Sequence, residues 1–163
     1  MDPTFATAFA YLGLLRAKAG AYNEAVACYE KALQCNPSLA VVHYLIADTL
    51  LKKTDGQPTR IESYLTRAVE LDGTFTLARL ALAKSFMREE RWTEAIEQLT
   101  EATKLEPNLA EAYYHLGRAY GRLKRSADSE QALATFKRLS QTEKARQDAE
   151  LRDIVKRLSD VRF

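Results

Sequence analysis

Histidines, cysteines and paired carboxylates are the side chains of this sequence that could ligate a metal or carry out acid, base or nucleophilic chemistry, and their placement argues against all of these. His43 and His115 lie in different parts of the chain and neither belongs to a metal-binding motif, so each reads as an ordinary helix residue. Cys28 and Cys35 fall seven residues apart on one predicted helix, about 10 Å along its axis, too far for a disulfide. That spacing is neither a zinc nor a redox motif, and the pair is expected to pack as small buried apolar residues. The sequence holds no Gly-rich phosphate loop, GxSxG or HExxH. Glu89, Glu90 and Glu94 read as a solvated helix face, and Glu111 as a carboxylate favourable near a helix start. No enzyme, metal or cofactor is expected. Trp92 raises the idea of ligand stacking, but Tyr22 occupies the matching place in an earlier unit, which favours packing.

The elements that would position these residues are helices. Residues 76–109 read as two amphipathic helices joined by a tight turn: Leu82 and Ala83 lie in the first, Ala95, Leu99 and Ala102 recur at i, i+4, i+7 in the second, and Pro107 closes the unit. Shifting back two units brings Gly13, Ala25, Tyr29, Ala32 and Pro37 into register, and shifting forward brings Leu116 and Gly117.

The totals agree with this. Of 163 residues 47% are hydrophobic, with only 6 Gly and 4 Pro, and no Val/Ile/Thr-rich alternation suggests a strand, so the chain reads as all-α, one domain or one short solenoid. No apolar run approaches the roughly 18 residues a membrane span needs, and the first residues lack a charged leader followed by an apolar block. Membrane insertion is not expected, and two thiols without an oxidative role fit a soluble, reducing setting, the cytoplasm before others. A net charge of +2 gives no ground for expecting nucleic acid.

A period near 34 residues carrying aromatic-x-x-Leu-Gly, then Ala-x-x-x-aromatic/Leu, then Pro resembles the tetratricopeptide repeat family, most closely at Tyr113-x-x-Leu116-Gly117-x-x-Tyr120. The resemblance implies a right-handed superhelical solenoid of antiparallel helix pairs. Repeat one spans 6–39, repeat two 40–75, repeat three 76–109 and repeat four 110–140. Repeat two is 36 residues long, with the two extra residues between its helices. There Asp55-Gly56-Gln57-Pro58 is a turn signal and Thr59 to Glu62 matches a capping box. Ile61 stands where Ala25 and Ala95 sit, so this pair should splay. Repeat four decays in its second helix, where Ser129 and Phe136 replace small alanines and Phe136 is expected to stop another unit from docking. Residues 141–163 carry Leu151, Ile154, Val155, Leu158 and Val161 at helical spacing and read as a capping helix. The competing reading is a self-association helix giving a homodimer, since no Gly or Pro after Gly121 interrupts one long helix. Asp2-Pro3 reads either as the tail of an upstream repeat or as a simple helix start.

In tetratricopeptide arrays the first helix of each repeat lines a concave groove that holds a peptide or a partner's helix. Carried over, the inward set is Tyr11, Leu14 and Lys18; Tyr44, Leu45, Asp48 and Lys52; Leu77, Leu80, Lys84 and Arg88; Tyr114, His115, Arg118 and Arg122. Lys18, Lys52, Arg88 and Arg122 share one repeat position, and a basic residue there is also what the helix dipole favours. One turn earlier stand Leu14, Asp48, Lys84 and Arg118. Asp48 can neutralise Lys52, whereas Lys84/Arg88 and Arg118/Arg122 are expected to be uncompensated. The groove should be apolar and aromatic toward the amino end and cationic toward the carboxyl end, suited to a protein or peptide partner with an acidic segment. Some family members hold chaperone tails in a two-carboxylate clamp. Ala10 and Leu14 stand where that clamp's first Lys and Asn are expected, so the clamp activity is not implied. The alternative function is a structural or homo-oligomerising segment of a longer scaffold.

Overall fold

The computed structural model describes residues 3–53 and 57–159, and all regular structure among them is helical. Helices α1 (Pro3–Lys18), α2 (Tyr22–Cys35), α3 (Ala40–Leu51), α4 (Pro58–Leu71), α5 (Thr76–Arg88), α6 (Trp92–Leu105), α7 (Ala110–Arg122) and α8 (Ser126–Ser159) follow in order. Each packs mainly on the next, α1 on α2 through α7 on α8, with a further touch between α5 and α7. Neighbour-on-neighbour packing is the mark of a solenoid.

Two kinds of turn build the stack. The short turns after α1, α5 and α7 hold one residue in the left-handed region: Gly20 (φ 77°), Glu90 (φ 59°) and Lys124 (φ 59°). In each, the next N–H reaches back five residues, Ala21 to the Arg16 carbonyl, Arg91 to Phe86 and Arg125 to Tyr120, all at 2.9 Å. This left-handed cap satisfies carbonyls that the helix end would otherwise leave bare. After α2, α4 and α6 the chain extends instead, and the N–H groups of Asn36, Asp72 and Glu106 bond the carbonyls of Ala32, Ala68 and Ala102.

The core lies between the helices at the repeat positions. Ala25, Tyr29, Ala32, Ile61, Leu65, Ala68, Leu82, Ala83, Ala95, Leu99 and Ala102 are all buried. Gly13 lies so close to Tyr29 that a Cβ there would overlap the ring, and a Cβ on Gly117 would come within 2.5 Å of Leu133 Cγ. Small residues in these places let paired helices nest.

Several expectations are corrected. Thr59 does not cap α4: Pro58 takes the first position of the helix, Gln57 precedes it without a side-chain cap, and Glu62 accepts hydrogen bonds from Arg91 at 2.8 and 2.9 Å instead. Asp55 and Gly56 of the proposed turn lie outside the described residues. Cys28 and Cys35 are half-buried and form no disulfide. In the last repeat, where no expectation is overturned, Ser129 is half-buried and donates to the Gly117 carbonyl at 2.7 Å, while the Phe136 ring packs on Tyr114 at 5.4 Å. Residues 141–159 are no separate capping helix. They continue α8, whose 34 residues extend about 50 Å, and every side chain from 141 to 157 is exposed. Nothing between Ser126 and Ser159 breaks the helix, so its distal part cannot fold back over α7. Val161 lies outside the described residues.

Candidate functional site

The first helices of successive pairs share one face, and two adjoining hollows open on it. The larger, about 420 Å³, takes Lys84, Met87 and Arg88 from α5, Glu90 from the turn, Trp92 from the start of α6, and His115, Arg118 and Arg122 from α7. The smaller, about 160 Å³, takes Tyr44, Asp48 and Leu51 from α3, Leu77, Leu80, Ala81, Lys84 and Arg88 from α5, and Glu111 from α7. Lys84 and Arg88 belong to both because i and i+4 stand one above the other on a helix.

Nine of the fifteen residues expected to face a groove line these hollows: Tyr44, Asp48, Leu77, Leu80, Lys84, Arg88, His115, Arg118 and Arg122. The rest do not. Tyr11 is 66% exposed. Leu14 and Leu45 pack partly against the core. Lys18 is exposed, and Lys52 is exposed but tied to Asp48 at 2.7 Å, the pairing their spacing predicts. Tyr114 leans on His115 and Phe136, ring centroids 5.3 and 5.4 Å away.

The charge pattern departs from expectation at Lys84. Its ammonium bonds Glu111 Oε1 at 3.0 Å across to α7, so Lys84 is compensated from the next repeat. Burial alone would raise the Glu111 carboxyl, but hydrogen bonding and charge from Lys84, with His115 beside it, hold it below the usual range. Burial pushes the His115 imidazole down, and Lys84 and Arg118 add to this against the opposing pull of Glu111. The net effect leaves the His115 imidazole harder to protonate than an exposed one. Arg88, Arg118 and Arg122 make no ion pair among the described residues, and Glu90 is the one carboxylate lining the larger hollow. Arg122 lies over the Trp92 ring at 5.3 Å and Arg118 over Tyr114 at 5.8 Å, within cation–π range.

These guanidiniums are held by aromatic faces and not by carboxylates, which leaves their donors free for an anion. Sequence reasoning missed Met87, Glu90 and Trp92 as lining residues. Trp92 does pack against the core as its repeat position implies, yet its ring also forms a wall of the hollow. The clue was its place four residues after Arg88, across one short turn.

A family model described as TPR repeat matches residues 13–53 and 83–124, and one described as tetratricopeptide repeat matches 110–142. The chain belongs to the tetratricopeptide repeat family. Its fold is similar to YrrB, described as a TPR protein with an unusual peptide-binding site, at 27% identity and TM-score 0.74, over 91% of this chain and 76% of that one. It is similar to the first TPR of Spaghetti (RPAP3), bound to the HSP90 peptide SRMEEVD, at 25% identity and TM-score 0.65, over 82% and 97%. It also resembles MamA from Desulfovibrio magneticus RS-1, at 24% identity and TM-score 0.69, over 88% and 77%. This tetratricopeptide repeat chain thus shares an architecture on which peptide binding is documented in two of the three.

Proposed function

We propose that this chain is a non-enzymatic protein-interaction module that takes a peptide or helix of a partner along the face lined by α3, α5 and α7, with an acidic segment of that partner over the hollow of α5 and α7. The observation that carries this reading is the convergence of Arg88, Arg118 and Arg122, none of them ion-paired among the described residues, on one hollow with Trp92 as its wall. Tyr44, Leu77 and Leu80 beside it supply apolar contact for the adjoining stretch. The peptide-bound first TPR of Spaghetti (RPAP3) and the peptide-binding site described for YrrB support the class of ligand.

Fluorescence anisotropy with a labelled acidic peptide, and with the same peptide carrying Gln for Glu and Asn for Asp, tests it. Arg118→Glu or Arg122→Glu is expected to weaken the acidic peptide by about ten-fold or more, since hydrogen bonds to charged groups are worth about 1.5–3 kcal/mol. Those changes should also flatten the salt dependence, while Lys18→Glu has little effect. Equal losses from Lys18→Glu and Arg118→Glu would sink the polarised-groove reading.

A second reading is self-association through the distal part of α8. Leu151, Ile154 and Val155 favour it, lying bare at i, i+3, i+4 on the distal part of α8, whose side chains are exposed from 141 to 157.

A further inference from the structure

One stripe of α1 is bare although the same register is covered in every other first helix. With Gly13, Ala47, Ala83 and Gly117 aligned, Leu12 matches Ile46, Leu82 and Leu116, and Leu15 matches Thr49, Ser85 and Ala119, all of them buried. Leu12 and Leu15 are 39% and 64% exposed, and Phe5, further along the stripe, is 58% exposed. The interior positions are covered because a helix precedes each one: α2 lies on α3, α4 on α5 and α6 on α7. The shape that fits α1 is therefore another helix.

Its kind follows from Leu15. Thr49, Ser85 and Ala119 are small and buried where a preceding helix lies on them, and a leucine in that place holds a covering helix farther out. Such a site suits a helix offering large aliphatic side chains. The same chain carries one: on α8, Leu151, Ile154 and Val155 are 61%, 53% and 58% exposed. This stripe cannot reach its own α1, since α8 is unbroken and packs on α7 at the other end of the stack.

We propose that the distal part of α8 in one copy docks on the Phe5–Leu12–Leu15 stripe of α1 in a second copy, head to tail. The inference rests on the self-association reading and adds the receptor face. Two different surfaces meet, so a pair joined by a single such contact still has one free α1 and one free α8, and the assembly closes into a ring, of two copies or more, or grows as an open chain.

Light scattering after size exclusion, run over a range of protein concentrations, tests this with Leu15→Glu and Ile154→Glu. Both residues are more than half exposed, so both variants should keep the wild-type helical circular dichroism. The wild-type mass is expected to rise with concentration, and each variant to associate at least about tenfold more weakly. An equimolar mixture of the two variants should form a two-chain particle and nothing larger, because one intact α8 and one intact α1 remain between them. A wild-type mass that stays at one chain throughout would overturn self-association and this proposal together. Association lost in Ile154→Glu but kept in Leu15→Glu would leave self-association standing as α8 on α8 and overturn the head-to-tail pairing. Failure of the mixed variants to pair would overturn it as well.

Discussion

Gly13 and Gly117 occupy the same repeat position, yet a methyl group added at each meets a different neighbour. At Gly13 it would run into the ring of Tyr29, which is wholly buried and has nowhere to move. At Gly117 it meets Leu133, which is 39% exposed and can swing toward solvent. Alanine also gains about 1 kcal/mol of helix propensity over glycine at both sites. Gly13→Ala is therefore expected to destabilise by up to about 2 kcal/mol, the usual overpacking cost of about 1–3 kcal/mol less that gain, and Gly117→Ala to be near neutral. Urea denaturation of the two variants checks this, and equal losses would mean that Leu133 is held as firmly as Tyr29. These glycines were legible in the sequence because the repeat demands a small residue there. The partner of Lys84 was not. Its carboxylate, Glu111, is 27 residues away on another helix, and helical spacing within one segment shows only i, i+4 neighbours such as Asp48 and Lys52.

Turns repeat across this molecule as faithfully as helices do, and their residues are less well matched to the backbone. Gly20, Glu90 and Lys124 occupy the same left-handed position, where a side chain costs about 1–2 kcal/mol and glycine does not. No atom lies within 4 Å of where a Cβ on Gly20 would stand, so conformation alone sets the difference. Gly20→Ala is expected to lower stability by about 1 kcal/mol, and Lys124→Gly to raise it by a few tenths to about 1 kcal/mol after the entropy lost by glycine is counted. Thermal unfolding monitored by circular dichroism would show melting temperatures moving in opposite directions; movement in the same direction would show that something other than the backbone decides these sites. The helices themselves were readable from apolar spacing. The start of α4 was not, because the capping-box residues and Pro58 compete for the same boundary and the ring, with its fixed φ, wins.

A solenoid of this kind gains its stability from contacts between neighbouring helices, so a segment with no neighbour contributes little to it. The all-helical stack and its period follow directly from the repeated Ala, Leu and Gly positions. The fate of residues 141–159 does not, since a cap and a projecting helix share one amphipathic pattern and differ only in whether the chain can bend back. Here it cannot, because Ser126 to Ser159 run without a break. A chain ending at Ser140 keeps Ala132 and Leu139, the buried residues of α8, and loses only side chains that are exposed up to 157. In dilute solution, where association adds nothing to apparent stability, its urea midpoint is expected to match the full chain to within about 0.5 kcal/mol, as surface changes usually do. A cap shielding several aliphatic side chains would instead cost about 1.5–3 kcal/mol for each one uncovered. The comparison at high concentration carries the second half of the test. There the full chain should gain stability that the shortened chain does not, because mass action stabilises only a chain that still has α8 to offer.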